Sequence, residues 1–414
     1  MAKGNVIVGL DVGTSKTAAA VGALTDAGSI DLIGFGLSPN AGVRKGQVVD
    51  LEECTSSISG ALEEAERTSG VPVTEAVINV SGPTISILES KGVVAVARAD
   101  GDITPADIER AIDAARAVAV PRNQEVLHVI SREFIVDGQG GIKDPTGMNG
   151  VRLEATVLVV TAQPTVMKTL ARVVSQAGIE PSGFIFSPLA AARTLLTKKQ
   201  KELGVALIDF GAGLTELAVY EEGELTHAAV IPVGSMHVTN DIAIGLRTNW
   251  DVAEKVKIKH AQASPQGVRE TDTVHLDELD PNEDKKVTRK YVAEIVEARL
   301  NELFSVVRKE LKSIGKDGML PGGVVLTGGG AQLEGLPEYL KDFLHLPVVI
   351  GQAIPEVGGM VDKLDNPRYV TSVGLMLMNL EQRSAPKAAV KLPRGPQLGG
   401  LADKAREFLK QFLP

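Results

Sequence analysis

Asp11-Val12-Gly13-Thr14-Ser15-Lys16-Thr17 and Asp209-Phe210-Gly211-Ala212-Gly213-Leu214-Thr215 share one pattern, Asp-x-Gly-x-x-x-Thr. Each follows an apolar run (Val6 to Leu10; Val205 to Ile208) and precedes another (Ala18 to Val21; Glu216 to Tyr220). That order predicts strand, tight turn, strand. Glycine in such a turn permits positive φ and lets backbone approach a ligand closely. Exposed turn N–H groups, with the hydroxyls of Thr14, Ser15, Thr17 and Thr215, suit a chain of phosphates. Asp11 and Asp209 end the first strand of each pair, where a magnesium ion held through its water shell would meet them. One such hairpin alone reads as an ordinary acidic turn. Two copies, each opening one half of the chain, predict a duplicated domain with a nucleotide clamped between the halves.

The 414 residues suffice for two or more domains. Hydrophobic residues at 44% against 23% charged predict a globular body with large cores. Aromatic content of 3% argues against stacking platforms for single-stranded nucleic acid. The net charge of −9 gives no overall basic footprint, so nucleic acid is not an expected partner. The single cysteine, Cys54, excludes an internal disulfide framework, fits a reducing cytoplasm and reads as a buried structural thiol. Met1 to Asn5 lead into the first strand without a signal-peptide pattern. No apolar run is long enough to span a bilayer. From Arg383 to Pro414 seven basic residues stand against two acids, a basic tail on an acidic body. Such a tail implies a negatively charged partner.

Along the first half the pattern predicts a third strand at Asp31–Gly36, a helix over Leu51–Ser69 stopped by Gly70, and a strand at Val73–Val80. Residues 84–162 read as an inserted α+β module. It has a strand at Val93–Ala97 and a helix opened by Thr104-Pro105 with Asp107 at the capping position. Strands follow at Val126–Ile130, Phe134–Val136 and Thr156–Val160, and Gly138–Gly150 reads as a loop. The core resumes with a helix over Pro164–Gln176, a strand at Phe184–Phe186 and a small-residue helix from Ser187. Residues 251–313 form a polar-rich unit with a short helix at Ala253–Lys257, a strand near Val274 and Leu276, and a long amphipathic helix over Thr288–Ser313. Tyr291, Ile295, Leu303, Val307 and Leu311 are expected on or near one face of that long helix. Val324–Thr327 reads as a buried strand running into Gly328-Gly329-Gly330-Ala331 and a helix, with a last apolar helix over Tyr369–Leu380.

The three glycines could let a flat base lie against backbone, with the helix N-terminus offering N–H groups. Rival motifs are missing: no P-loop, no Gly-x-Gly-x-x-Gly after the first strand, no Gly-x-Ser-x-Gly. The six histidines lack metal-ligand spacing and read as ordinary surface or core residues. Residues 383–400 read as a flexible linker. Beyond it, residues 401–414 form an isolated helix with Leu401, Phe408, Leu409, Phe412 and Leu413 along one side and basic residues around the rest. That reads as an interfacial anchor on anionic membrane lipid, with docking on the body or a partner helix as the alternative. So short a helix binds weakly alone and far more tightly in many copies on one polymer.

The stretches Gly9–Thr17, Ile208–Thr215 and Leu326–Gly330 resemble the two phosphate motifs and the adenosine motif of the actin superfamily. Ser187–Ala192 and Ser372–Leu375 resemble its two connecting helices. Within that superfamily the chain looks most like the FtsA family. The likeness is carried by Leu127–Ile130, Asp144–Glu154, Ile231–Gly234 and the tail helix. The resemblance implies an α/β, duplicated actin-like (RNase H-like) fold with an inserted α+β subdomain 1C and a C-terminal amphipathic helix. Subdomain 1A would take 1–83, 163–190 and 360–382, and 1C would take 84–162. Subdomain 2A would take 191–247 and 311–359, and 2B would take 248–310. It implies ATP with Mg2+ in the cleft, held by Gly13, Thr14, Ser15, Lys16, Thr17, Gly211, Ala212, Gly213, Thr215, Gly234, Gly328, Gly329, Gly330 and Ala331. Glu254 and Lys257 resemble the ribose and adenine contacts, and Asp11 and Asp209 would hold the metal through water. It also implies self-association into filaments and attachment of FtsZ to the inner face of the cytoplasmic membrane at the division site. The FtsZ C-terminal peptide would be received by 2B, with Arg299 a candidate contact, and other division proteins by 1C.

One departure bears on chemistry. Actin-like ATPases often place Glu or Gln at the start of the first connecting helix to orient the attacking water, and Ser187 stands there. A serine cannot act as a carboxylate base, and Glu216 reads as a plain strand residue with no claim to that role. Binding of ATP is therefore expected, with weak or no hydrolysis. The alternatives are a PilM-like pilus-assembly protein, against which the amphipathic tail speaks, and a small-molecule kinase, for which no catalytic Asp motif is found.

Overall fold

Asp50 accepts the N–H groups of Glu52 and Glu53, and so starts a helix that ends where Gly70 turns left-handed at φ 69°. The predicted bounds, Leu51–Ser69, are those of α1, because both caps are local in sequence. The computed structural model describes residues 6–25, 29–121, 123–354, 357–360, 364 and 366–384. Of the linker expected at 383–400, Arg383 and Ser384 instead end the last described helix; the rest, with the helix expected at 401–414, lies outside the described residues.

Before α1 come β1 (Val6–Val12), β2 (Lys16–Leu24), β3 (Ile30–Pro39) and a two-residue pair, β4 (Val43–Arg44) and β5 (Gln47–Val48). After it comes β6 (Glu75–Val80). An inserted module follows, with β7 (Ser86–Ala95), α2 (Pro105–Ala119), β8 (Glu125–Val136), β9 (Gln139–Ile142) and β10 (Arg152–Ala162). The chain returns through α3 (Pro164–Gln176), β11 (Glu180–Phe186), α4 (Ser187–Leu195) and α5 (Lys198–Leu203). The second half holds β12 (Val205–Phe210), β13 (Thr215–Glu221), β14 (Glu224–Ile231), α6 (Ser235–Leu246) and α7 (Trp250–His260). Next are β15 (Thr273–His275), β16 (Lys286–Thr288), α8 (Arg289–Ser313) and β17 (Val324–Thr327). The last described elements are α9 (Leu336–Leu344), β18 (Val348–Ile350), β19 (Val357–Gly359) and α10 (Val370–Ser384).

Strand order reveals the duplication. The first sheet runs β11-β6-β1-β2-β3-β19 and the second runs β18-β17-β12-β13-β14. In both, an antiparallel three-strand meander carries two parallel strands beside its first strand. Helices α4 and α10 pack on each other: α10 lies on β1 and β2, and α4 reaches β12 and β13. The pair is therefore the joint between the halves.

The inserted module has its own sheet, β7-β10-β8-β9, with α2 across it and a core of Ile103, Ala111, Ala115, Phe134, Leu153 and Val157 among others. Asp107 accepts from the N–H and hydroxyl of Thr104, the capping box expected from Thr104-Pro105. Those bonds, led by the Thr104 hydroxyl, hold its carboxyl well below the usual range.

Four expectations need correction. Val126–Ile130 and Phe134–Val136 are one strand, because pairing with β10 continues through Ser131 and Glu133 across a bulge. The Gly138–Gly150 stretch contains β9, which pairs with β8 although it is rich in glycine. In α8 the buried face is Val292, Val296, Leu300, Leu303, Phe304, Val307 and Leu311, with Tyr291 turned outward. Gly328 leads into a short 3-10 turn over Gly329–Gln332 rather than a helix, and α9 begins only at Leu336. Cys54 is buried as expected, and burial pushes its thiol up to about 11.

His128 on β8 sits in the seam between module and first sheet, where its Nε2 accepts the N–H of Phe186 at 2.9 Å. Burial lowers its pKa to about 4. The unfolded chain, with an imidazole near 6.5, then binds more protons than the folded one between those values. Stability is full above about 6.5, falls as pH drops, and levels off below about 4. Urea melts at pH 5 are expected to show about 2 kcal/mol less stability from this group than at pH 7. A His128→Gln chain should lose that component.

Candidate functional site

Both Asp-x-Gly turns are closed by the same hydrogen bond. Gly13 N donates to Lys16 O at 2.9 Å, and Gly211 N donates to Leu214 O at 3.0 Å. Neither Gly13, Gly211 nor Gly213 has positive φ, contrary to expectation. Their small size serves close approach instead. A Cβ on Gly213 would lie 2.7 Å from Thr14 Oγ1 and 2.8 Å from its Cγ2, so the two turns touch across the interface of the halves. Of the adenosine-type glycines, Gly328 does need its conformation (φ 86°) and lies against Asp209, while Gly329 faces open space.

Between the turns lies a cavity of about 460 Å³, within the range of small-ligand sites. Asp11, Gly13, Thr14, Ser15, Lys16, Asp209, Gly211, Ala212, Gly213, Glu254, Lys257, Gly328, Gly329 and Gly330 line it. Thr17, Thr215, Gly234 and Ala331 stand behind its wall, and the hydroxyls expected at phosphate are spoken for. Thr17 Oγ1 is held by Ser57 and Asn40, and Thr215 Oγ1 donates to Val233 O at 2.8 Å. The reason is strand alternation. Thr17 pairs opposite Val12 and Thr215 opposite Phe210, so both point away from the face that carries the aspartates. Gly234 acts indirectly: a Cβ there would strike Ala212 O at 2.5 Å, and the next two N–H groups, of Ser235 and Met236, bind the carbonyls of Gly211 and Ala212. Arg299 is outside the cleft, on α8, with its guanidinium on Asp241 (2.9 Å from Nη2) and Glu302 (2.7 Å).

Acidic and basic side chains both line the cavity: Asp11, Asp209, Glu216, Glu254 and Glu334 against Lys16, Lys257, Lys259 and Arg368. Lys16 Nζ donates to Asp11 at 2.8 Å. Asp209 is pushed up from the carboxylate range by burial and by Asp11. Glu216, which pairs opposite Asp209, shares its face and lines the cavity too, pushed up by burial and by Asp209. Glu216 is a strand residue as expected, and its place on the cavity face is what the pairing adds. The signal was available: a hairpin closed by Phe210 and Thr215 places 216 opposite 209. On α7, Lys257 pairs with Glu254 at 2.7 Å, and both hold the hydroxyl of Thr239. Among the described residues no three His, Cys, Asp or Glu side chains are spaced to ligate a metal directly. Oxygen donors from the two halves suit a hydrated magnesium ion instead.

Asn79 was not foreseen. Its Oδ1 accepts Val12 N at 2.7 Å and its Nδ2 donates to Ser187 Oγ at 3.3 Å, tying the first turn to the start of α4. Ser187 lines the cavity as well, as does Trp250, the chain's single tryptophan.

Relatives over most of the chain are found by sequence. A cell division protein FtsA of Pseudomonas aeruginosa is 41% identical over 92% of this chain and 91% of its own length. The chain belongs to the FtsA family. FtsA of Bacillus subtilis is 40% identical over 91% of the chain and 84% of that protein, and FtsA of Escherichia coli K12 is 32% identical over 98% of each. The family model for cell division protein FtsA matches residues 206–374, and that for the SHS2 domain inserted in FtsA matches residues 82–161. Among solved structures, a PilM–PilN type IV pilus biogenesis complex aligns with TM-score 0.66 at 16% identity, over 90% of this chain and 98% of that one. Spiroplasma citri MreB5 bound to ADP aligns with TM-score 0.53 at 14% identity, over 92% and 97%. At those identities the likeness is one of fold, and it makes this FtsA-family fold actin-like. The pilus alternative is set aside by the sequence relatives.

Proposed function

We propose that this FtsA-family protein binds ATP with magnesium between its halves, assembles into filaments, and tethers FtsZ to the inner face of the cytoplasmic membrane. One observation carries the nucleotide part: two phosphate-type turns from opposite halves meet at Thr14 and Gly213 over one cavity. Backbone N–H groups of both turns and Lys16 would take the phosphates. Asp11 and Asp209 would hold the metal through water, offsetting the crowded carboxylates. Glu254 and Lys257 would meet the ribose and base, beside Gly328 to Gly330. Ser187 at the head of α4 gives no base for water, so the nucleotide acts as a conformational ligand with slow turnover or none.

The membrane part is supported by sequence pattern, through Leu401, Phe408, Leu409, Phe412 and Leu413 and the basic residues around them. Among the described residues no helix is long and apolar enough to cross a membrane. The FtsZ peptide would dock on 2B, where an acidic tail would compete with Asp241 for Arg299.

Trp250 offers the readout. Titrating Mg-ATP should give a saturable change in its emission, and the saturated protein should sediment with anionic vesicles. Removing residues 401–414 should leave the emission change and abolish sedimentation. No saturable change refutes the nucleotide reading, and undiminished sedimentation refutes the anchor.

A further inference from the structure

Glu216 breaks the symmetry of the duplication. The first hairpin pairs Asp11 with Ala18, and the second pairs Asp209 with Glu216. The fold is therefore built once with a methyl group at this position and once with a carboxylate that is only 8% exposed. Burying a carboxylate is unfavourable unless it is partnered. Its partner comes from the other half: Ser81 Oγ donates to Glu216 Oε1 across 135 positions of sequence.

Ser81 is the residue just before the SHS2 match, which begins at 82. The strand that bears Glu216 reaches the same module again at its far end. In the β13–β14 turn, Glu222 O accepts from Nζ of Lys143, which also lies 3.5 Å from Glu202. Six residues of extended chain, about 20 Å, separate Glu216 from Glu222. Between them, β14 packs on β7 and β8 of the module.

We propose that the Ser81–Glu216 hydrogen bond is a switch that passes the presence of a terminal phosphate in the cleft to the inserted module. This rests on the nucleotide reading above. Glu216 shares a face with Asp209, so a third phosphate and its cation alter the field at its carboxylate directly. A cation drawn to that face competes with the Ser81 hydroxyl for the Glu216 carboxylate, and the bond loosens as it arrives. Ser81 then holds the module's entry to β13 in one nucleotide state and releases it in the other. Because β13 is a hydrogen-bonded strand, the shift is felt at Lys143 as well.

The test is hydrogen–deuterium exchange of the full chain at saturating Mg-ATP and Mg-ADP, with affinities measured separately by equilibrium dialysis. In the parent, peptides from β7 and β9 should exchange at rates differing about fivefold between the two nucleotides. In Ser81→Ala and in Glu216→Gln, that difference should shrink to less than about twofold, and the double variant should match the singles. A difference that persists in the variants, or is absent in the parent at saturation, overturns the switch and leaves nucleotide binding standing. A parent chain that binds neither nucleotide overturns the nucleotide reading, and the switch with it.

Discussion

A Gly213→Val chain is expected to bind adenine nucleotide at least about 100-fold more weakly than the parent, a loss of about 2.8 kcal/mol. The new Cβ would fall 2.7–3.1 Å from three atoms of the Thr14 side chain, which belongs to the opposite turn. Threonine cannot swing clear, because its own Cβ is among those atoms and rotation about χ1 leaves it in place. The turns must therefore separate, and phosphates lose simultaneous contact with both. Gly213 has no positive φ, so valine there meets no backbone strain and folding should survive. The measurement is a nucleotide titration beside a thermal melt. Parent-like affinity would mean that the two turns do not grip one ligand.

A large loss of stability is expected at Gly374, between the connecting helices. A Cβ there would meet Ala190 O at 1.9 Å, Ala190 C at 2.4 Å and Thr194 Oγ1 at 2.8 Å. Two of these are backbone atoms of α4, and Thr194 is itself bound to Val370 O at 2.9 Å. Nothing can yield without moving a helix that reaches both halves. Gly374→Val is expected to cost more than about 4 kcal/mol, an overpacking loss at the extreme of single substitutions. It should appear as insoluble expression or a non-cooperative melt. Gly329→Ala is the control: no atom lies within 4 Å of its Cβ and φ is not positive. Its melt should stay within about 0.5 kcal/mol of the parent. Equal loss at both glycines would refute the packing argument.

Features fixed by neighbours in sequence were legible in advance. The stop of α1 at Gly70, the Thr104–Asp107 box and the paired Asp-x-Gly turns each need only a few consecutive residues. Where pairing rather than composition decides, the sequence misled: β8 continues through Ser131 and Glu133, and β9 forms from a glycine-rich stretch.

The sequence by itself determined that two like hairpins head two like halves, that a module interrupts the first, and that glycines and aspartates stand at the turns. Only the tertiary structure decided which face of each hairpin lines the cavity, that Asn79 braces the first turn, and that Glu216 meets Ser81. The physical reason is register. Side chains alternate from face to face along a strand, so a partner strand, not the local sequence, selects the cavity side. Contacts such as Ser81 to Glu216 exist only once the halves have closed on each other.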